Sequence, residues 1–225
     1  MCGRFGVTKA PWEALLRIGA RHSGDELFEP RYNIAPTQRI LVVTNEPERE
    51  ARAMRWGLIP PWVANPATMK LSTFNARIET IATAPTYRSA LKTKRGAIPA
   101  SGFFEWRKNA DGTKTPFWIR LKSDEVFFFA ALWERWRDRD TDGMIESATV
   151  ITQPPNAFMA LIHSRMPAVL HAAAIDEWLA PATVSPDAIA LLTPTNADLW
   201  IAHAVAPSVG NVRSQGASLI DALAI

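Results

Sequence analysis

A cysteine directly behind the first methionine is the most reactive feature of this sequence. If Met1 is removed, Cys2 carries a free α-amine beside its thiol, with reference pKa values of about 7.7–8.0 and 8.5. Such a 1,2-aminothiol has two routes open to it. The amine can condense with an aldehyde as a Schiff base, after which the thiol closes a five-membered thiazolidine. Alternatively, the thiolate can attack an amide with the amine as its base, as in N-terminal-nucleophile hydrolases. Both routes need proton carriers. Glu105, in Gly102-Phe103-Phe104-Glu105-Trp106-Arg107, sits among aromatics that would strip its hydration and raise its pKa. His163 stands two residues before Arg165, pairing a group that titrates near neutrality with a guanidinium suited to phosphate. Asn75 and Arg77 repeat that spacing with an amide in place of the imidazole. Each residue also has a plainer role: Cys2 in a disordered terminus, Glu105 on an edge strand paired with Arg107, His163 as a structural histidine, Asn75 in a turn and Arg77 in solvent.

The elements that must position these groups are mostly strands. Residues 39–44 and 51–56 read as strands flanking a turn at Asn45-Glu46-Pro47, and 96–99, 102–107 and 116–121 as further strands. On an extended 102–107, Phe103, Glu105 and Arg107 share one face and Phe104 and Trp106 the other. Residues 126–133 are almost unbroken apolar and fit a central strand. Short strands at 148–152 and 167–170 surround a helical 156–161. Thr8 is placed to cap a helix over 9–21 with Pro11 in its first turn, and 173–179 and 186–192 carry helical patterns. The last strands surround 201–212. Irregular alternation of strands and fewer helices predicts an α+β fold, one mixed domain over residues 1–225, rather than a doubly wound parallel sheet.

Composition narrows the function. With 225 residues, 48% hydrophobic and 21% charged, the chain can bury a sizeable core. Its single cysteine excludes an internal disulfide and Cys-rich zinc modules. The four histidines lack ligand spacing, and neither a P-loop nor a dinucleotide fingerprint occurs, so no metal and no nucleotide cofactor is expected. No apolar run approaches the ~20 residues that span a bilayer. The start of the chain lacks a signal peptide's apolar stretch, so a cytosolic protein with a reduced thiol is expected. The net charge is only +3, but 18 of the 25 basic residues are arginine, and nine tryptophans offer stacking surfaces.

Seven segments, in order along nearly the whole chain, carry a resemblance. They are Met1-Cys2-Gly3-Arg4-Phe5, Arg31-Tyr32-Asn33-Ile34-Ala35-Pro36-Thr37, Trp56-Gly57-Leu58-Ile59-Pro60-Pro61-Trp62, Asn75-Ala76-Arg77-Ile78-Glu79, Ile98-Pro99-Ala100-Ser101-Gly102-Phe103-Phe104-Glu105-Trp106, His163-Ser164-Arg165-Met166-Pro167 and Val209-Gly210-Asn211-Val212. Together they resemble the SOS response-associated peptidase (SRAP) family of abasic-site processing proteins. Ser164 stands where Asp or His is expected, and Gly210 where Asn is usual.

The resemblance implies a β-rich, barrel-like core with peripheral helices and a basic groove for single-stranded DNA. It implies that processed Cys2 cross-links to the ring-opened aldehyde of an abasic site. Asn75 would position the reacting groups, Glu105 would move protons, and His163 would assist sugar opening. Arg4, Arg77 and Arg165 would contact phosphates, and Trp62 or Trp106 would stack at the lesion. Stopping at the imine would permit lyase chemistry, and removal of residues ahead of Cys2 would be a peptidase step for which methionine aminopeptidase suffices. A monomer acting on abasic single-stranded DNA, with no cofactor and no membrane, is the expectation. Two alternatives stand beside it. Class II glutamine amidotransferases also begin Met-Cys-Gly, and a noncatalytic single-strand-binding module would use the Arg and Trp residues alone.

Overall fold

A strand that is apolar on both faces needs cover on both faces, and the long strand at residues 127–137 receives it. The computed structural model describes residues 2–22, 29–46, 48–138 and 141–223. In chain order its strands are β1 (Phe5–Val7), β2 (Arg21–His22), β3 (Arg31–Ile34), β4 (Arg39–Asn45), β5 (Arg49–Trp56), β6 (Asn75–Arg77), β7 (Arg95–Ala100), β8 (Gly102–Lys108), β9 (Lys114–Leu121), β10 (Phe127–Arg137), β11 (Met144–Gln153), β12 (Met166–Pro167), β13 (Val169–Leu170) and β14 (Trp200–Ala204). The helices are short: α1 (Trp12–Arg17), α2 (Arg88–Thr93), α3 (Ile175–Leu179) and α4 (Ser185–Ala190).

Five strands close on themselves. β7 pairs with β4 and β10, β4 with β5, and β10 with β11, all antiparallel. The ring is completed where β11 runs parallel to β5, at Ser147 opposite Arg55 and Ala148 opposite Trp56. This five-stranded barrel is the core of an α+β domain, and its closure removes the free edges that an open sheet would present. A second sheet, in the order β14-β9-β8-β1-β3, packs on it.

The alternation along β10 shows how the layers stack. Phe128, Ala130 and Leu132 join Ala14 and Leu15 of α1, Ala90 and Leu91 of α2, and Ile175 and Trp178 of α3. Phe129, Ala131 and Trp133 face the other way, into a cluster with Cys2, Phe5, Phe103, Trp56 and Ile98. Phe5 meets Trp56 and Phe129 edge to face, with centroids 5.1 and 5.7 Å away. Burying that side chain contributes roughly 2–3 kcal/mol, and it anchors β1 three residues from Cys2.

β1 lies between β8 and β3, and the approach to β8 is close: Phe5 is opposite Phe103 and Gly6 opposite Gly102. A Cβ on Gly102 would fall 2.4 Å from Trp118 Cζ2 and 2.7 Å from the Ile119 carbonyl. Gly102→Ala is therefore expected to cost about 1–3 kcal/mol through overpacking. A thermal melt reads this as a drop of several degrees, and an unchanged midpoint would refute the close fit.

Several elements differ from the sequence expectation. The helix expected over 9–21 is only α1, because Thr8 gives its amide to Ser101 Oγ (3.0 Å) and does not cap it. No side chain caps α1, and Gly19 at φ +63° turns the chain away after one and a half turns. The helical pattern at 156–161 yields a 3₁₀ turn, Met159–Leu161. The strands expected around 201–212 reduce to β14, followed by a 3₁₀ turn at Pro207–Gly210. Pro47, in the turn expected between β4 and β5, and Met1 lie outside the described residues.

Candidate active site

Cys2 is 1% exposed and belongs to the aromatic core beneath β1 and β8. Its position is set on two sides. The Arg4 carbonyl accepts the Phe104 amide of β8 at 2.9 Å, continuing the β1–β8 ladder toward the terminus. From the other side, Asn75 Nδ2 donates to the Cys2 carbonyl at 2.8 Å. Asn75 reaches it from β6, a three-residue strand paired in parallel with β11.

Glu105 projects from β8 and is 2% exposed. β8 is an inner strand between β1 and β9, so the edge-strand alternative for Glu105 does not describe its place. His163 Nε2 lies 3.8 Å from Glu105 Oε2, an ion pair when the imidazole is protonated. Burial lifts the Glu105 carboxyl above the ordinary carboxylate range, and the charge of His163 opposes that rise. The Cys2 thiol is pushed strongly upward, by burial first and by the Glu105 carboxylate second. At neutral pH Cys2 is thus a thiol rather than a thiolate, and the thiolate reactivity expected from its reference pKa is suppressed by its surroundings.

The orientation of His163 comes from local structure. The 3₁₀ turn is tied by Asn156 Oδ1, which accepts the Met159 amide at 2.8 Å, and the Met159 carbonyl accepts the His163 amide at 2.8 Å. His163 Nδ1 accepts the Arg165 amide at 3.1 Å, which leaves Nε2 toward Glu105. Residues 163–165 therefore turn, and His163 and Arg165 part company. Arg165 forms a bidentate pair with Glu79 and also donates to the Thr152 carbonyl at 2.7 Å. Its side chain is 11% exposed.

The other residues expected to touch DNA lie in different settings. Arg4 donates to the carbonyls of Val209 (2.7 Å) and Gly210 (3.2 Å) and to Asn33 Oδ1 (3.3 Å). Its guanidinium is engaged in holding the loop after β14. Arg77 is exposed on β6, beyond Asn75 on the same face. Trp106 is half-buried on β8 against the cluster of Phe104, Trp118 and Val209. Trp62 is 56% exposed, on a loop anchored by Trp136 Nε1 donating to the Val63 carbonyl at 2.7 Å.

Asn33 is a residue that chemical reasoning on the sequence passed over. Fully buried on β3, it donates to the carbonyls of Val209, Asn211 and Ser214 at 3.0–3.2 Å. The signal was its place inside the Arg31-Tyr32-Asn33 segment, yet nothing local shows that this segment serves the loop 176 residues later. Among the described residues no three His, Cys, Asp or Glu side chains gather into a metal site, and no helix is long and apolar enough to cross a membrane. The assembled site can hold a buried nucleophile, a carboxyl of raised pKa and an imidazole in one place, with an amide fixing the nucleophile's backbone.

Comparison with known proteins supplies the context. The family model described as "SOS response associated peptidase (SRAP)" matches residues 1–212. The chain is 39% identical to the abasic site processing protein YoaM of Bacillus subtilis, covering 99% of this chain and 98% of that protein. It is 30% identical to the abasic site processing protein YedK of Escherichia coli, over 98% of this chain and 99% of that one. The abasic site processing protein HMCES of Xenopus tropicalis is 30% identical, over 95% of this chain and 76% of its own length. A crystal structure of a Bacteroides thetaiotaomicron protein superposes with a TM-score of 0.89 at 24% identity, covering 99% of this chain and all of that one.

Proposed function

The chain belongs to the SOS response associated peptidase (SRAP) family, and from that premise we propose that it processes abasic sites by forming a covalent DNA–protein cross-link in single-stranded DNA. The observation that carries this reading is the convergence of buried Cys2 and Glu105 with half-buried Asn75 and His163 in one site. An abasic sugar equilibrates with a ring-opened aldehyde. The α-amine of processed Cys2 adds to that carbonyl carbon, and loss of one water leaves an imine. The Cys2 sulfur then bonds to the same carbon while the thiol proton passes to nitrogen, closing a thiazolidine. One water is released overall.

The protein's groups divide this work. A neutral thiol cannot add until its proton is taken, and Glu105 is the carboxyl near enough to raise the thiol's pKa. A raised carboxyl pKa suits a group that takes and returns protons in successive steps. His163 faces Glu105 and assists opening of the sugar at O4′. Asn75 holds the Cys2 carbonyl, so that amine and thiol present one orientation to the aldehyde. Tethering the second nucleophile to the first makes ring closure intramolecular.

Arg77 and Trp62 are exposed and available to the strand. Arg4 and Arg165 are engaged within the protein, by the Val209 carbonyl and by Glu79, and Trp106 is half-buried on β8, so these three are less free to reach the strand. An imine that loses its C2′ proton and expels the 3′ phosphate before closure, then hydrolyses to free the amine, would account for lyase activity at the same residues.

Intact-mass spectrometry after incubation with a single-stranded abasic oligonucleotide tests the reading. The expected species is the chain without Met1 plus the oligonucleotide less one water, stable to heat. Glutamine hydrolysis with no adduct would instead favour an amidotransferase. Equal retention of intact and abasic strands with no covalent product would favour a binding module.

A further inference from the structure

Asn75 holds Cys2, and something must hold Asn75. Its strand, β6, is three residues long and has β11 on one side only among the described residues. Alternate carbonyls of a strand point to opposite edges. Those of Phe74 and Ala76 face β11, where Val150 N donates to Phe74 O at 3.0 Å and Thr152 Oγ1 donates to Ala76 O at 3.4 Å. The carbonyl of Asn75 therefore points to the open edge. There it accepts the Tyr87 hydroxyl at 3.2 Å.

Tyr87 is itself well fixed. Its amide donates to the Ala84 carbonyl at 3.0 Å, its carbonyl accepts the Leu91 amide at 2.9 Å in the first turn of α2, and its ring packs on the helix-side core. Burial raises the phenol's pKa, with the Thr149 hydroxyl opposing the rise, so the hydroxyl remains a donor throughout the neutral range. A rigid donor thus closes the one open side of the strand that carries Asn75.

We propose that Tyr87 is a positioning residue of this site: its hydroxyl fixes Asn75, and through the Asn75 amide the backbone of Cys2, setting the rate of covalent capture without adding to DNA affinity. The inference rests on the reading of Cys2 as the cross-linking nucleophile. A chain of two hydrogen bonds, Tyr87 to Asn75 and Asn75 to Cys2, links helix α2 to the reacting residue across 85 positions of sequence. Loosening its outer bond lets the Asn75 side chain sample orientations in which the Cys2 carbonyl, and with it the amine, is displaced from the aldehyde.

Tyr87→Phe removes the hydroxyl and keeps the ring, so it tests the bond rather than the packing. Cross-linking to a single-stranded abasic oligonucleotide is followed at increasing DNA concentration, giving a saturating rate and a half-saturating concentration. The expected result is a saturating rate about three- to tenfold lower, with the half-saturating concentration unchanged. The end-point adduct yield should still match wild type, because the fraction of folded protein is not the quantity altered. A saturating rate within twofold of wild type overturns the inference. So does a loss confined to the half-saturating concentration or to the end-point yield. Absence of any adduct from the wild-type protein would remove the reading of Cys2 and is distinguishable from all of these.

Discussion

Cys2→Ala is expected to abolish the heat-stable adduct with abasic single-stranded DNA. Alanine retains an α-amine after loss of Met1 and can still form an imine, but it has no second nucleophile to trap it. The imine is in equilibrium with water and is lost on heating, whereas the thiazolidine is held by a second bond. Effective concentrations of well-oriented tethered nucleophiles reach about 10⁵ M or more, so a fall of at least about 10³-fold in heat-stable product is expected. Denaturing electrophoresis after heating reads it. Adding borohydride before heating should restore a band for Cys2→Ala by reducing the imine to an amine. An undiminished adduct without borohydride would remove Cys2 from the mechanism. The substitution is mild for the fold, since it empties only a sulfur's volume beside Phe5 and Phe103.

The second large effect is expected at Glu105, where stability and reaction rate should move in opposite directions. Burial raises this carboxyl's pKa in the folded chain. The folded state therefore holds the proton more tightly than the unfolded state. Its contribution to stability is fully present below the unfolded pKa of about 4.3 and is lost as pH rises through the higher folded value. At neutral pH an ionised Glu105 is a buried charge with a cost, relieved in part when His163 is protonated. Glu105→Gln keeps the shape and removes the charge. The melting midpoint at pH 7.5 should rise by a few degrees, and that gain should vanish toward pH 4, where the wild-type carboxyl is protonated too. The cross-linking rate should fall about 10²-fold or more, because glutamine can neither take nor return a proton. A variant that is both less stable and fully active would refute this placement of Glu105. The same variant should leave the Cys2 thiol with a lower pKa, since the second cause of its elevation is gone.

Long elements could be read from the chain and short ones could not. β4, β5, β7, β8, β9, β10 and β11 carry enough residues for apolar runs or alternation to show. β1, β3 and β6 have three or four residues each and no period to detect, yet these strands carry or anchor Cys2, Asn33 and Asn75. The closure of the barrel is equally silent, because it depends on two residue pairs between β5 and β11. Residues with unusual chemistry stood out in the site, as Cys2 and Glu105 did. Their contacts did not, since Glu105 and His163 are 58 positions apart and meet through tertiary packing. Arg165 shows the limit of reading by type: an arginine suited to phosphate lies paired with Glu79, a residue in another of the quoted segments. Tyr87 carried no chemical signal at all, because its hydroxyl acts on a backbone carbonyl.

The place of β1 between β8 and β3 has a consequence for biosynthesis. A peptidase that trims a terminus needs it extended and accessible, and residues 2, 5, 6 and 7 are buried once β1 is paired. Pairing with β3 can begin early, but pairing with β8 waits until residues 102–108 have left the ribosome. At roughly 5–20 residues per second, the β8 side of β1 stays unpaired for about 5–20 s. Discontinuous pairing of this kind, in which the earliest strand waits for one synthesised a hundred residues later, leaves a window in time for Met1 to be cut before the fold encloses Cys2.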